Sequence, residues 1–164
     1  MDGAVAIVGY MGSGKTTLGR LLAHATGLEF VDLDRTIVKM AGKEIPEIFA
    51  EQGEDLFRDL EHQALREALD GQSPCIVACG GGVVVRPENR ALLQEVTTVF
   101  LREDISVLYG RTRGPGRPLR AASREEFEAR YAERLPYYRE VADIEVEVDG
   151  RTPAGVVEEV LGCL

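Results

Sequence analysis

The chain lacks any apolar run approaching the roughly 20 residues that a bilayer-spanning helix requires. Its opening stretch, MDGAVAIVGY, lacks the basic segment and long apolar core of a secretory signal. Cysteine is scarce: Cys75, Cys79 and Cys163 form no CxxC pair and no zinc-ligand spacing. Such cysteines are expected to be reduced, which together with the missing signal points to the cytoplasm. Cys75 and Cys79 read as small buried residues on or beside a strand. Positive charge is short as well. A net charge of −9 and a pI near 4.8 give no general basic face for nucleic acid or an anionic membrane. There is no N-K-x-D guanine signature, no clear strand ending in Asp-Glu, no internal repeat, no low-complexity stretch and no linker.

What remains is an ordinary globular composition, 45% hydrophobic and 29% charged over 164 residues, which suits one domain. Strand-like and helix-like segments alternate. Ala4–Val8 is a short apolar run that reads as a buried strand. Leu18, Leu21, Leu22 and Ala25 carry helical spacing over Lys15–Thr26, with Gly27 as a stop. Leu28–Asp34 reads as a second strand, followed by short helices through Met40 and over Pro46–Ala50. A longer helix runs from about Gly53 to Leu69. Cys75–Cys79 and Thr97–Leu101 read as strands, separated by a helix that starts at Pro87. Another helix starts near Asp104. Thr112–Ser123 has two prolines, two glycines and no periodicity, so it reads as a long functional loop or lid. Ser123 with Glu126 suits a capping box, Ile144–Val148 a fifth strand, and Thr152 with Pro153 the start of a last helix. This alternation predicts an α/β sandwich around a mostly parallel sheet.

Chemistry enters with GYMGSGKT, Gly9–Thr16, which matches G-x-x-x-x-G-K-[ST] between a strand and a helix. Glycines let backbone N–H groups turn inward around phosphate oxygens, and the helix adds unpaired N–H groups with a positive dipole end. Lys15 can bridge β- and γ-phosphates, and the Thr16 hydroxyl can ligate Mg²⁺. The motif predicts a nucleoside triphosphate, and a small phosphotransferase is the best remaining class.

Asp32 and Asp34 close the second strand as DLD. Strand alternation would put both carboxylates on one face at the edge where α/β sheets bind ligands. One could serve Mg²⁺ and the other an acceptor hydroxyl. In isolation DLD would read as a solvated strand end or a helix N-cap; beside a phosphate loop the functional reading is preferred. Arg58 and Glu61 sit three apart on the long helix, either as a surface ion pair or with the guanidinium turned into a pocket. Arg134, in RLPYY, is expected to end a helix at Pro136. Seven arginines crowd one region: Arg111, Arg113, Arg117, Arg120, Arg124, Arg130 and Arg134. They read either as surface charge paired with Glu125, Glu126, Glu128 and Glu133 or as a local anion site. CGGGV, with Gly80, Gly81 and Gly82 after the third strand, is a costly thing to order unless something must approach closely.

The set GYMGSGKT, DLD, FRDLE, CGGGV, GRPL and RLPYY, in this order over nearly the whole chain, resembles shikimate kinase. The resemblance implies one domain over residues 1–164 with a nucleoside monophosphate kinase-like fold. That is a three-layer α/β/α P-loop kinase with a five-stranded parallel sheet and a mobile lid at about 112–123. It implies ATP-dependent phosphorylation of the 3-hydroxyl of shikimate, giving shikimate 3-phosphate and ADP on the route to chorismate and the aromatic amino acids. Lys15, Asp34 and Arg117 would be catalytic. Gly12, Ser13, Gly14, Lys15, Thr16, Thr17 and Arg117 would hold the ATP phosphates, with Arg111 and Pro153 flanking adenine. Arg58 and Arg134 would clamp the shikimate carboxylate, Glu61 would steady Arg58, and Phe49 and Phe57 would pack on the ring. Asp34 and the backbone of Gly80, Gly81 and Gly82 would complete the acceptor site. Thr16 and Asp32 would serve Mg²⁺. Shikimate and ATP would be the partners of a cytoplasmic monomer, with no nucleic acid and no membrane. The lid RGPGRPLRAAS is richer in proline and arginine than the family pattern. A gluconate kinase-type enzyme and a nucleotide-binding regulatory module stay open; the DLD motif and glycine triplet weigh against the first, and Lys15, Asp34, Arg58 and Arg134 against the second.

Overall fold

A computed structural model describes residues 3–71, 73–112 and 123–164. The first strand, β1 (Val5–Val8), sets the layers by its alternation: Val5 and Ile7 enter one apolar cluster, Ala6 and Val8 the other. The elements that follow are α1 (Lys15–Thr26), β2 (Glu29–Asp32), α2 (Leu33–Ala41), α3 (Ile45–Leu69), β3 (Cys75–Ala78) and a 3-10 turn (Val83–Val85). Next come α4 (Pro87–Gln94), β4 (Thr97–Arg102), α5 (Ile105–Arg111), α6 (Arg124–Val141), β5 (Ile144–Glu147) and α7 (Pro153–Cys163). The five strands form one all-parallel sheet in the order β2-β3-β1-β4-β5. Helices α1 and α7 cover one face through Leu18, Leu22, Val156, Val157 and Val160. The other face is covered by α2 to α6, through residues such as Leu33, Phe57, Leu93, Leu108 and Tyr138. The expected three-layer α/β/α architecture is what forms.

Burial explains the strand sequences. Every residue of β1 and β3 is buried, as expected for central parallel strands covered on both faces. Each such Val or Ile contributes about 1.5–3 kcal/mol. The exposed pairs Arg124–Glu128 at 2.7 Å and Arg130–Glu126 at 3.1 Å are screened by solvent and contribute little, so the apolar layers carry the fold. Because all strands run the same way, their carboxyl ends share one edge, and the functional loops gather there.

Two elements differ from expectation. The second strand stops at Asp32 rather than Asp34, because Asp32 N-caps α2, its carboxylate accepting from the Arg35 N–H at 3.5 Å. Asp34 therefore lies in the first turn of α2, and helical rather than strand geometry sets its direction. The two helices expected over Pro46–Ala50 and from about Gly53 are present within α3, as two helical segments that meet at Gly53, whose φ of 83° and ψ of 173° are non-helical and whose φ a side chain would oppose. Pro136 does not end α6, which continues to Val141. Proline removes one helical hydrogen bond, at a cost of about 3 kcal/mol. Beyond it Tyr138 is fully buried and stacks on Phe100 at 5.1 Å, and Val141 joins the same cluster, which offsets that cost. The Ser123 half of the expected capping box is present, its Oγ accepting from the Glu126 N–H at 3.1 Å, and the expected Thr152 cap forms, its Oγ1 accepting from the Gly155 N–H at 3.2 Å.

Candidate active site

At the carboxyl end of β1 the chain turns through Gly9, Gly12 and Gly14, with φ of 153°, 85° and 90°. The left-handed values at Gly12 and Gly14 are ones a side chain would resist. Helix α1 then begins at Lys15 with no side-chain cap and no acid in its first turn. Its leading N–H groups and positive dipole end are thus available to an anion. Lys15 Nζ donates to the Tyr10 carbonyl at 2.9 Å and to Ser13 Oγ at 3.4 Å. Tyr10, fully buried, anchors the loop from beneath, its hydroxyl donating to the Phe127 carbonyl of α6 at 2.9 Å.

The opposite wall is built from α2, α3 and the glycine triplet. Arg58 and Glu61 are both buried on α3, and Arg58 Nη1 donates to Glu61 Oε1 at 2.7 Å. Glu54 accepts from Arg58 Nη2 at 3.3 Å, while Arg58 Nε is buried with no hydrogen-bond partner. Burial pushes the Glu61 carboxyl above the usual range, and the Arg58 charge pulls it back only in part. Asp34, although exposed, stands close enough to Glu61 to add to that rise.

None of the triplet glycines has a positive φ, so the triplet serves space rather than backbone conformation. A Cβ on Gly80 would lie 3.1 Å from both Asp34 Oδ1 and Glu61 Oε2. One on Gly82 would lie 2.4 Å from both terminal nitrogens of Arg58. The Gly81 carbonyl accepts from Arg134 Nη1 at 3.3 Å and from the Tyr138 hydroxyl. Arg134 is 7% exposed, with its guanidinium carbon 5.8 Å from the Tyr10 ring centre, a cation–π distance. Helix α6 therefore holds both glycine loops.

These walls enclose a cleft of about 840 Å³. Gly12, Gly14, Lys15, Thr16, Thr17 and Asp32 line one side, and Asp34, Phe57, Glu61, Gly80, Gly81, Gly82 and Arg134 the other. A second pocket of about 310 Å³ adjoins it, sharing Gly12, Gly14, Thr17 and Arg111 and adding Ser13 and Pro153. Phe49 is not among the lining residues; it stacks behind Phe57 at 4.7 Å. Arg58 likewise stands behind the lining, against Gly82. Arg117, Arg113 and Arg120 lie outside the described residues, as does most of the expected lid. The arginine-rich region thus divides: Arg111 and Arg134 face the pockets, whereas Arg124 and Arg130 are paired on the surface.

Oxygen donors define what metal chemistry is possible. Thr16 and Asp32 line the cleft beside the phosphate loop, and no cluster of three or more His, Cys, Asp or Glu suited to a metal exists among the described residues. One hydroxyl and one carboxylate fit a hard cation such as Mg²⁺, which keeps most of its waters and takes other ligands from phosphates. Cys75 and Cys79 are buried free thiols, and burial pushes both upward in pKa. No described helix is long and apolar enough to cross a membrane.

Sequence reading missed Ile45, Pro46 and Lys39 in the cleft and Glu103 and Arg151 in the smaller pocket. Glu103 had a usable signal, since it directly follows a strand whose carboxyl end faces the site. Tyr138 had one too, four residues after Arg134 on the same helical face.

The shikimate kinase family profile matches residues 11–164. The chain is 41% identical over 169 residues to a shikimate kinase of Marinomonas sp. (strain MWYL1), covering 98% of this chain and 91% of that protein. It is 44% identical over 160 residues to the shikimate kinase of Aromatoleum aromaticum, covering 95% and 91%. Its fold matches that of the shikimate kinase from Acinetobacter baumannii in complex with shikimate, with a TM-score of 0.91, 33% identity, and coverage of 98% and 92%.

Proposed function

The chain belongs to the shikimate kinase family, and we propose that its two adjoining pockets hold the two substrates of that reaction. ATP lies along the phosphate loop with its base in the smaller pocket, and shikimate lies in the larger cleft. The enzyme transfers the γ-phosphoryl group of ATP to the 3-hydroxyl of shikimate, releasing ADP and shikimate 3-phosphate. The observation that carries the site assignment is that Lys15 and Asp34, from opposite walls, line one cleft.

Each group has a task set by its chemistry. The amides of Gly12, Ser13 and Gly14 and the start of α1 with Thr17 cradle phosphate oxygens, and Lys15 neutralises charge on the transferring group. Arg111 and Pro153 flank adenine. Arg134 presents a planar fork suited to a carboxylate at the cleft lining, and Arg58, held by Glu61 behind Gly82, turns toward the same carboxylate when shikimate binds. Phe57, backed by Phe49, packs on the acceptor ring. Asp34 accepts a hydrogen bond from the 3-hydroxyl and directs its oxygen at phosphorus, while the proton moves to Asp34 or onward with the product. Thr16 and Asp32 would hold Mg²⁺, which supplies charge neutralisation to the phosphates when bound. Arg117, by family resemblance alone, adds positive charge at the γ-phosphate. Little covalent chemistry falls to the protein, so positioning and electrostatics account for the rate.

The buried free thiols Cys75 and Cys79 support the cytoplasm as the compartment of this reading. Incubation with ATP and an equimolar mixture of shikimate, gluconate and AMP tests the reading by mass spectrometry of the products. Shikimate phosphate is expected to dominate. A product phosphorylated on gluconate or AMP instead would make this a different kinase on the same fold.

A further inference from the structure

Glu103 directly follows β4 and is only 4% exposed. A buried carboxylate is costly unless paired, and its partner is Arg111, whose Nη1 lies 2.9 Å from Glu103 Oε2. The same nitrogen donates to the Gly12 carbonyl of the phosphate loop at 3.1 Å. Arg111 sits at the end of the seven-residue helix α5, with half of its side chain exposed. Left alone, such a side chain would spread over many rotamers. Among the described residues, Arg102 pairs with Glu145 and Glu147, and Arg151 with Glu159.

Glu103 also reaches the opposite wall. Its carboxyl lies beside that of Asp149, close enough for each to shift the other, and Asp149 Oδ1 accepts from the Asp104 N–H at 3.1 Å. Asp149 belongs to the turn between β5 and α7, four residues before Pro153. One carboxyl group therefore ties the α5 wall, the phosphate loop and the approach to Pro153 together, and it lines the smaller pocket itself.

Resting on the assignment of the nucleotide base to that pocket, we infer that Glu103 is a positioning residue for ATP. It acts through Arg111, holding the guanidinium in one orientation across the pocket from Pro153. Glu103 does not touch the reacting atoms.

The test is a steady-state cycle of Glu103→Gln, Arg111→Ala and the double variant, with KM measured for ATP and for shikimate. Glu103→Gln is expected to raise the ATP KM about tenfold or more, as for loss of a charged hydrogen bond, with the shikimate KM and kcat moving less than about twofold. The double variant should match Arg111→Ala alone, because the acid acts only through the arginine. A raised ATP KM in Arg111→Ala with none in Glu103→Gln would overturn the inference, as would effects that multiply in the double variant. An unchanged ATP KM in Arg111→Ala would instead overturn the placement of the base, and the inference with it. Should Glu103→Gln not fold, Glu103→Asp, which keeps the charge but withdraws it by one methylene, enters the same cycle.

Discussion

Gly82 and Arg58 are in contact so close that a single methyl group would not fit between them: a Cβ on Gly82 would lie 2.4 Å from both guanidinium terminal nitrogens. The last glycine of the triplet makes room for the buried arginine of α3, and Gly80 does the same for Asp34 and Glu61. Two of the three costly glycines are thereby explained by three charged side chains that converge behind and beside one loop, and Gly81 by the phosphate loop itself, since a Cβ there would lie 3.2 Å from the Met11 backbone nitrogen.

Gly82→Ala should displace Arg58 and leave nucleotide binding largely intact. The added methyl meets the far end of a flexible side chain, so the chain should fold with Arg58 displaced, and the shikimate KM should rise about tenfold, as for loss of a charged hydrogen bond. Gly80→Ala should act in the same direction more weakly, since its neighbours stand 3.1 Å from the added carbon. Calorimetry with ATP and with shikimate separately would check both; equal losses for the two ligands would assign the triplet a purely structural role.

Asp34→Asn keeps the shape of the side chain and removes its charge. A fall in kcat of about 10²–10⁴ is expected, with a smaller change in the shikimate KM. Single-turnover rapid quench would locate the loss in the chemical step. An unchanged kcat would remove Asp34 from the transfer.

Glu61 predicts a pH dependence. Burial holds its carboxyl above the usual range, so it takes up a proton at a higher pH than a free glutamate. The folded state binds that proton more tightly than the unfolded state. This group's contribution to stability is therefore present below the unfolded value and is lost as pH rises through the raised folded value. Binding runs the other way, because protonation removes the charge that steadies Arg58. The shikimate KM should climb on the acid side at a pH above the ordinary glutamate range, and Glu61→Gln should flatten that limb. A limb that persists in Glu61→Gln would assign it to another group.

Lys15→Met should lower kcat by about 10²–10³, as removal of one transition-state charge contact does, while shikimate still binds by calorimetry. Loss of shikimate binding as well would mean that the lysine holds the cleft open rather than neutralising phosphate.

The parts legible in the sequence were those whose chemistry is local. The phosphate loop is contiguous, and its glycines, lysine and following helix need only their neighbours, so Gly9–Thr16 could be read directly. The strand order could not, but the alternation of buried strands with amphipathic helices gave the three layers. Asp34 was singled out correctly as a cleft residue by an incorrect route, since strand alternation was applied to a residue that lies in a helix. The cap at Asp32 was the competing local signal. Pro136 misled for a different reason: the burial of Tyr138 and Val141, a tertiary effect, outweighs one missing hydrogen bond. Contacts such as Gly82 with Arg58 or Glu103 with Asp149 join segments remote in the chain, and no local pattern encodes them.

The most direct measurement is ADP release from ATP, followed by a coupled assay with and without shikimate. Saturable release that depends on shikimate, and falls to background in Asp34→Asn, is what a shared donor–acceptor cleft predicts. ADP release at the same rate without shikimate, or release only when gluconate or a nucleoside monophosphate is supplied, would contradict it.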